Sequence, residues 1–107
     1  MIVRILQGIV TASDADKYQT LLHEKVLPIY QYASGNLGVY LCREVNDQFV
    51  NFLLMSLWST RDALIRFTGP DIEAVAHSPE EKKLLLAFES MARNYEVLEM
   101  VEPEREG

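Results

Sequence analysis

The side chains best suited to chemistry are few: an indole at Trp58, imidazoles at His23 and His77, a thiol at Cys42, and an amide at Gln7 on an otherwise apolar strand. An imidazole exchanges a proton near neutral pH and can ligate iron. An indole lines apolar pockets and offers one N–H, but it also serves as a plain core aromatic at a strand end. His77 directly precedes Ser78, a helix-capping residue, so an exposed loop side chain is its simplest reading. Gln7, if buried, needs a hydrogen-bond partner, whether structural, at a dimer contact or on a substrate. His23 beside the apolar stripe of a helix and Cys42 within a strand read as structural.

The elements that must position these groups are organised around Phe49 to Phe67. At period two, Val50, Phe52, Leu54, Ser56 and Trp58 fall on one face and Phe49, Asn51, Leu53, Met55 and Leu57 on the other. Both faces are apolar, which marks a strand covered on both sides. Ser59 stands as the N-cap of a following helix, with Asp62 three residues on and Ala63, Leu64 and Phe67 at helical spacing. Upstream, Ile2 to Val10 alternates as a first strand, with Val3, Ile5, Gln7 and Ile9 on one face. Ser13 caps a helix whose stripe is Tyr18, Leu21, Leu22, Val26 and Ile29, with Pro28 near its end and a turn at Ser34-Gly35-Asn36. Leu37 to Val45 is a second strand, joined by Asn46-Asp47-Gln48 to the third as an antiparallel hairpin. Gly69 and Pro70 end the next helix, and Ser78-Pro79-Glu80-Glu81 starts the last one as a capping box with proline at the first helical position. Leu84, Leu85, Leu86 and Phe88 give that helix its buried side, and Asn94 to Val101 alternates as a fourth strand. The order matches a ferredoxin-like βαββαβ α+β fold, a four-stranded antiparallel sheet with helices on one side. The other sheet face would expose more apolar surface than a small monomer tolerates, which predicts a homodimer packed sheet against sheet.

The chain of 107 residues reads as one domain over 1–101, with a disordered tail at 102–107. Sixteen acidic against 10 basic side chains, a net charge of -6, leave no electrostatic footprint for nucleic acid or an anionic membrane surface. One cysteine forms no intrachain disulfide, and MIVRILQG lacks the features of a signal peptide, so the expected location is the cytoplasm. The longest uncharged run, Gln48 to Thr60, is shorter than the ~20 residues a membrane helix requires. Neutral small molecules and protein are the expected partners.

Taken together, Gly35 to Arg43, LWSTRDALIRFTG at Leu57 to Gly69, DIEAVAHSPEEKKLLL at Asp71 to Leu86, and NYEV at Asn94 to Val97 resemble the antibiotic biosynthesis monooxygenase family of the dimeric α+β barrel superfamily. The resemblance implies paired chains completing a barrel, with a pocket between sheet and helices in each. It also implies oxygenation of a small aromatic or polyketide-like compound with no cofactor, the phenolic substrate itself reducing dioxygen. Such chemistry requires groups that deprotonate or orient a phenol and stabilise the anion in an apolar cavity. Trp58 matches the family's tryptophan at the end of the third strand, and the asparagine that partners it in quinone-forming members is replaced by Leu54. Leucine cannot hydrogen-bond an oxyanion, so either another polar group substitutes or the reaction is different.

Within the same fold the chain also resembles heme-degrading monooxygenases, in which an axial histidine follows a bulky aromatic by ten residues and an asparagine lies on the first strand. His77, Phe67 and Gln7 take those places, with Phe67 and Gln7 departing in residue type. The expected catalytic set is therefore Trp58, Gln7 and His77, with Phe52, Leu54 and Phe67 against the substrate, no metal and no cofactor. The alternatives are a heme-binding or heme-degrading protein through His77, and a dimeric ligand-binding or stress-related barrel without chemistry.

Overall fold

The first strand, β1 (Ile2–Thr11), runs through the middle of the sheet, its backbone paired along both edges. In the computed structural model, which describes residues 1–104, β1 pairs antiparallel with β3 (Phe49–Trp58) from Ile2↔Trp58 to Thr11↔Phe49. β3 in turn pairs with β2 (Asn36–Asn46), the two joined by a tight turn in which Asp47 takes a positive φ of 49°. On the opposite edge of β1 lie two short strands instead of the single one expected at Asn94 to Val101. β4 (Ala87–Phe88) holds Gly8 and Ile9, and β5 (Arg93–Glu96) holds Ile2 to Ile5. The order β2-β3-β1-β4, with β5 also on β1, is that of a ferredoxin-like α+β sheet.

The helices cover one face only. Along β3, Val50, Phe52, Leu54, Ser56 and Trp58 are buried, whereas Leu53, Met55 and Leu57 on the other face remain half-exposed. The covering layer begins with α1 (Ala15–Leu21), passes through a π-helical turn at Leu22–Val26 and continues as α2 (Leu27–Gln31). That turn inserts one residue relative to α-helical counting. The stripe therefore slips by one after Val26, so Tyr30 is buried and Ile29, expected inside, is 59% exposed. Gly35, at φ +83°, then lets the chain pass so close to α3 (Arg61–Thr68) that a Cβ would collide with Ala63.

Three helix boundaries differ from the sequence reading. The hydroxyl of Thr11, not Ser13, accepts from the Asp14 amide at 3.3 Å, because a short 3-10 turn at Ala12–Asp14 precedes α1. Thr60, not Ser59, caps α3 by accepting from the Ala63 amide at 3.1 Å, since the Ser59 amide is still held by the Gly35 carbonyl. The last helix, α4 (Pro79–Leu84), has the expected capping box but stops before Leu85. There the Leu86 amide donates to the Ile9 carbonyl at 2.8 Å, and pairing with the free edge of β1 outweighs further helix. Leu86 and Phe88 are consequently exposed at 56% and 44% rather than forming a buried side. Strand pairing at the C-terminal end covers Arg93–Glu96, after which the Val97 amide still donates to the Met1 carbonyl, and Leu98 to Val101 carry no strand. Of the expected tail, 102–104 carry no helix or strand and 105–107 lie outside the described residues.

The core consists of two clusters along the covered face. Trp58, Tyr30, Leu54, Leu64 and Ile72 form one, and Val10, Tyr18, Leu22, Val50 and Phe52 the other. No helix among the described residues is long and apolar enough to cross a membrane.

Candidate functional site

Between the two clusters the packing is incomplete and leaves a cavity of about 70 Å³. Its sheet wall is Leu6, Leu41, Phe52 and Leu54, apolar residues of three adjacent strands. Its helical wall is Tyr18, Leu22, Val26 and Tyr30, so the π-helical turn borders it directly. Gly8 keeps the floor open, because a Cβ there would stand 2.6 Å from Leu85 Cδ2 and 3.7 Å from the Tyr18 hydroxyl. Ala76, His77 and Glu81 close the remaining side.

His77 enters the cavity because α4 starts immediately after it. The capping box fixes Glu81, whose Oε2 accepts from the Ser78 amide at 2.8 Å, and Oε1 then lies 3.4 Å from His77 Nδ1. Only 9% of the His77 side chain and 10% of that of Glu81 is exposed, so the exposed-loop reading of His77 is overturned. The Phe88 ring meets the imidazole edge-on at 4.7 Å between centroids. Burial pushes the Glu81 carboxyl up, but hydrogen bonds from His77 and from the Ser78 amide and hydroxyl outweigh it, and its pKa lies below the ordinary 4.5. The ionised Glu81 carboxylate is an acceptor for an Nδ1–H of His77, and in that neutral tautomer Nε2 is the nitrogen with a lone pair. Nε2 is buried and has no hydrogen-bond partner among the described residues. A histidine held by a carboxylate at the edge of an apolar cavity is suited to removing a proton from a small molecule.

Two phenols share the space. Burial raises the Tyr18 pKa, with the Glu81 charge adding to it. Tyr30 is also raised by burial, partly offset by the adjacent Arg4 guanidinium. Both are neutral hydrogen-bond donors at physiological pH.

The six residues proposed from sequence separate into three groups. His77, Phe52 and Leu54 line the cavity together. Trp58 and Phe67 do not: the Trp58 indole is fully buried, donates to Ser56 Oγ at 2.9 Å and packs on Phe67 at 4.7 Å, making both parts of the adjoining core. Gln7 borders the cavity through its strand, but its side-chain carbonyl accepts from Asn51 Nδ2 at 3.4 Å across the open face, away from His77. Glu81, Tyr18 and Tyr30 were missed. Glu81 had a visible signal, since a histidine four residues before a helical glutamate can pair with it, but its role as cap absorbed it. Among the described residues, no group of three or more histidine, cysteine or acidic side chains is placed to hold a metal ion.

No family model and no curated protein sequence matches the chain. Solved structures do. A protein proposed to be an antibiotic biosynthesis monooxygenase, from Deinococcus radiodurans, superposes with a TM-score of 0.70 at 16% identity, over 98% of this chain and 100% of that one. SnoaB, a cofactor-independent oxygenase from Streptomyces nogalater, gives 0.63 at 15% identity over 96% and 98%. The heme-degrader MhuD from Mycobacterium tuberculosis gives 0.65 at 19% identity over 95% and 100%. The chain shares the fold of these proteins along nearly its whole length.

Proposed function

We propose that this chain is an antibiotic biosynthesis monooxygenase-type enzyme, a cofactor-independent oxygenase of a small acidic aromatic compound, in which His77 removes the proton that starts the reaction. The observation that carries this reading is the buried His77–Glu81 pair, its Nε2 without a partner among the described residues, at the edge of an apolar cavity. Similarity in fold to SnoaB supports the absence of a cofactor. A ring methylene beside a carbonyl, or the equivalent phenol, gives its proton to Nε2, and the resulting anion passes electrons to dioxygen. The hydroperoxide formed at that carbon loses water, so that CH₂ and O₂ become C=O and H₂O. An apolar enclosure favours the electron transfer by excluding water from the anion.

The cavity bounds the substrate. At about 70 Å³ it is roughly half the ~150 Å³ that accepts benzene, so it takes the oxygen-bearing edge of a ring and dioxygen rather than an intact polycycle. Larger substrates require the π-helical turn at Leu22–Val26 to yield.

Heme does not fit this arrangement. His77 Nε2 is free to ligate iron, but ligand pockets for molecules of that class run to roughly 300–1,000 Å³. Gln7 and Phe67, the other residues of that reading, face the open sheet and the core. Hemin titration of the wild type is expected to give no saturable Soret shift.

A second copy covering the open sheet face completes the proposal. Leu53, Met55, Leu57, Val3 and Ile5 lie half-exposed beside Tyr40 at 57% exposure. The Cα radius of gyration, 15.1 Å, exceeds the ~13 Å of a closed domain of this length, as befits an open slab. Dioxygen uptake with a panel of anthrones, naphthols and single-ring phenols tests the activity. Uptake absent across the panel, with a bound metabolite retained in native mass spectrometry, would favour a barrel that binds without turnover.

A further inference from the structure

Proton transfer to His77 leaves negative charge on a substrate oxygen, and the apolar walls formed by Leu6, Leu41, Phe52 and Leu54 offer that oxygen no donor. One hydroxyl is placed to supply it. The short 3-10 turn at Ala12–Asp14 sends the chain back after β1, so that α1 lies against the strand it has just left, with Ala15 and Tyr18 buried. Tyr18 is 4% exposed, and its ring meets Phe52 of β3 edge-on at 5.1 Å between centroids. Its oxygen lies over Gly8 of β1, 3.7 Å from the point where a Cβ would stand. Tyr18, Gly8, Phe52, His77 and Glu81 all border the same cavity. The ring is thus held between helix and sheet with its hydroxyl at the cavity floor, and the missing side chain at Gly8 leaves space beside it.

That hydroxyl is not spent on the fold. The carboxylate bordering the cavity, Glu81, is already engaged by the Ser78 amide at 2.8 Å and His77 Nδ1 at 3.4 Å. No side-chain hydrogen bond among the described residues includes the Tyr18 oxygen. Tyr30, the other phenol, has its ring packed into the adjoining cluster by Phe67 at 4.9 Å and Trp58 at 6.4 Å between centroids.

We infer that the Tyr18 hydroxyl is the hydrogen-bond donor that holds the substrate's oxygen over Gly8, so that the ligand is a phenol or an enolisable ring carbonyl with that oxygen innermost. This rests on the oxygenase reading and names its ligand more closely. The substrate O–H or C–H bond breaks toward His77 Nε2, the electron pair stays on the substrate, and the oxygen that carries the charge accepts from Tyr18. Tyr18 is then a catalytic residue. A hydrogen bond to an anionic oxygen is stronger than one to a neutral oxygen, so the contact tightens as the proton leaves.

The test compares two probes of one shape, para-fluorophenol and para-fluorotoluene, which differ in having or lacking the oxygen. Fluorine NMR measures the binding of each to wild type, Tyr18→Phe, Tyr30→Phe and the exposed control Tyr32→Phe, with folding checked by circular dichroism. Tyr18→Phe keeps the ring and its contact with Phe52. It is expected to bind the toluene as wild type does and the phenol about tenfold more weakly, a split that loosened packing does not produce, with Tyr32→Phe like wild type. A second readout needs no substitution: in wild type labelled at tyrosine Cζ, the Tyr18 signal is expected to shift with the phenol and to stay in place with the toluene. A Tyr18 signal unmoved by bound phenol, or phenol affinity kept in Tyr18→Phe and lost in Tyr30→Phe, would overturn the role of Tyr18 and, with dioxygen uptake by wild type, leave the oxygenase reading in place. Phenol affinity lost in Tyr18→Phe with no dioxygen uptake on any substrate would keep the phenol site and overturn the oxygenase reading. Neither phenol binding nor uptake by wild type would overturn both.

Discussion

Trp58→Phe separates a structural tryptophan from a catalytic one. The indole is fully buried, outside the cavity, and its N–H satisfies Ser56 Oγ, itself on a residue 2% exposed. Removing that donor leaves a buried hydroxyl short of a partner, at about 1–2 kcal/mol. The smaller ring leaves a void against Phe67 and Tyr30 worth about 1–2 kcal/mol more, at ~0.8 kcal/mol per methylene-sized group removed. The sum, about 2–4 kcal/mol, is a large share of the roughly 5–15 kcal/mol that holds a domain folded. At ~4–8 °C per kcal/mol it lowers Tm by roughly 8–32 °C. Urea and thermal unfolding give the stability, and dioxygen uptake well below the new Tm gives the activity. The account expects a large loss of stability with uptake changed less than about twofold, ~0.4 kcal/mol. An unaltered Tm with uptake reduced tenfold or more would show that Trp58 works on the substrate and that the assignment of the cavity is wrong.

Glu81→Gln tests the orienting carboxylate. Because the folded pKa of Glu81 is depressed, its ionised form contributes stability above the ordinary value of 4.5 that is lost as pH falls through the folded value. The variant should therefore be less stable than wild type by about 1–2 kcal/mol at neutral pH, with the gap closing in urea titrations below 4.5. A gap independent of pH would contradict the pairing. Gly8→Ala pushes on Leu85 Cδ2 at 2.6 Å and narrows the cavity, so Tm falls by the equivalent of about 1–3 kcal/mol and KM for any turned-over substrate rises. An unchanged KM would move the site elsewhere. Met55→Lys places a charge on the open sheet face, and sedimentation should show a dimer becoming monomeric; a wild type that already sediments as a monomer would refute the paired arrangement.

Much of the fold is legible in the residues because burial alternates along β3 as its side chains do, and because Ser78 to Glu81 specify a helix start by local chemistry alone. The errors share one cause, tertiary pairing. Helical periodicity carried α4 through Phe88, but the unpaired edge of β1 at Gly8 and Ile9 captured the chain as strand. The site was less legible than the fold. Counting at 3.6 residues per turn placed Ile29 inside, and only the π-helical turn brings Tyr30 to the cavity in its place. Arg4 on an alternating strand looked like neither core nor site, since nothing local shows that its guanidinium is buried and donates to the Ala74 carbonyl. His77 was found by spacing, while the carboxylate that orients it was read only as a cap.

The measurement that bears most directly on the account is dioxygen consumption by wild type and His77→Gln, with the best substrate of the panel, both proteins matched for Tm and oligomeric state. The account predicts one O₂ consumed for each carbonyl formed by wild type, and a rate about 10²–10⁴-fold lower in His77→Gln with substrate binding retained. Equal rates in the two proteins would contradict it, because among the described residues no other buried nitrogen lining the cavity lacks a hydrogen-bond partner.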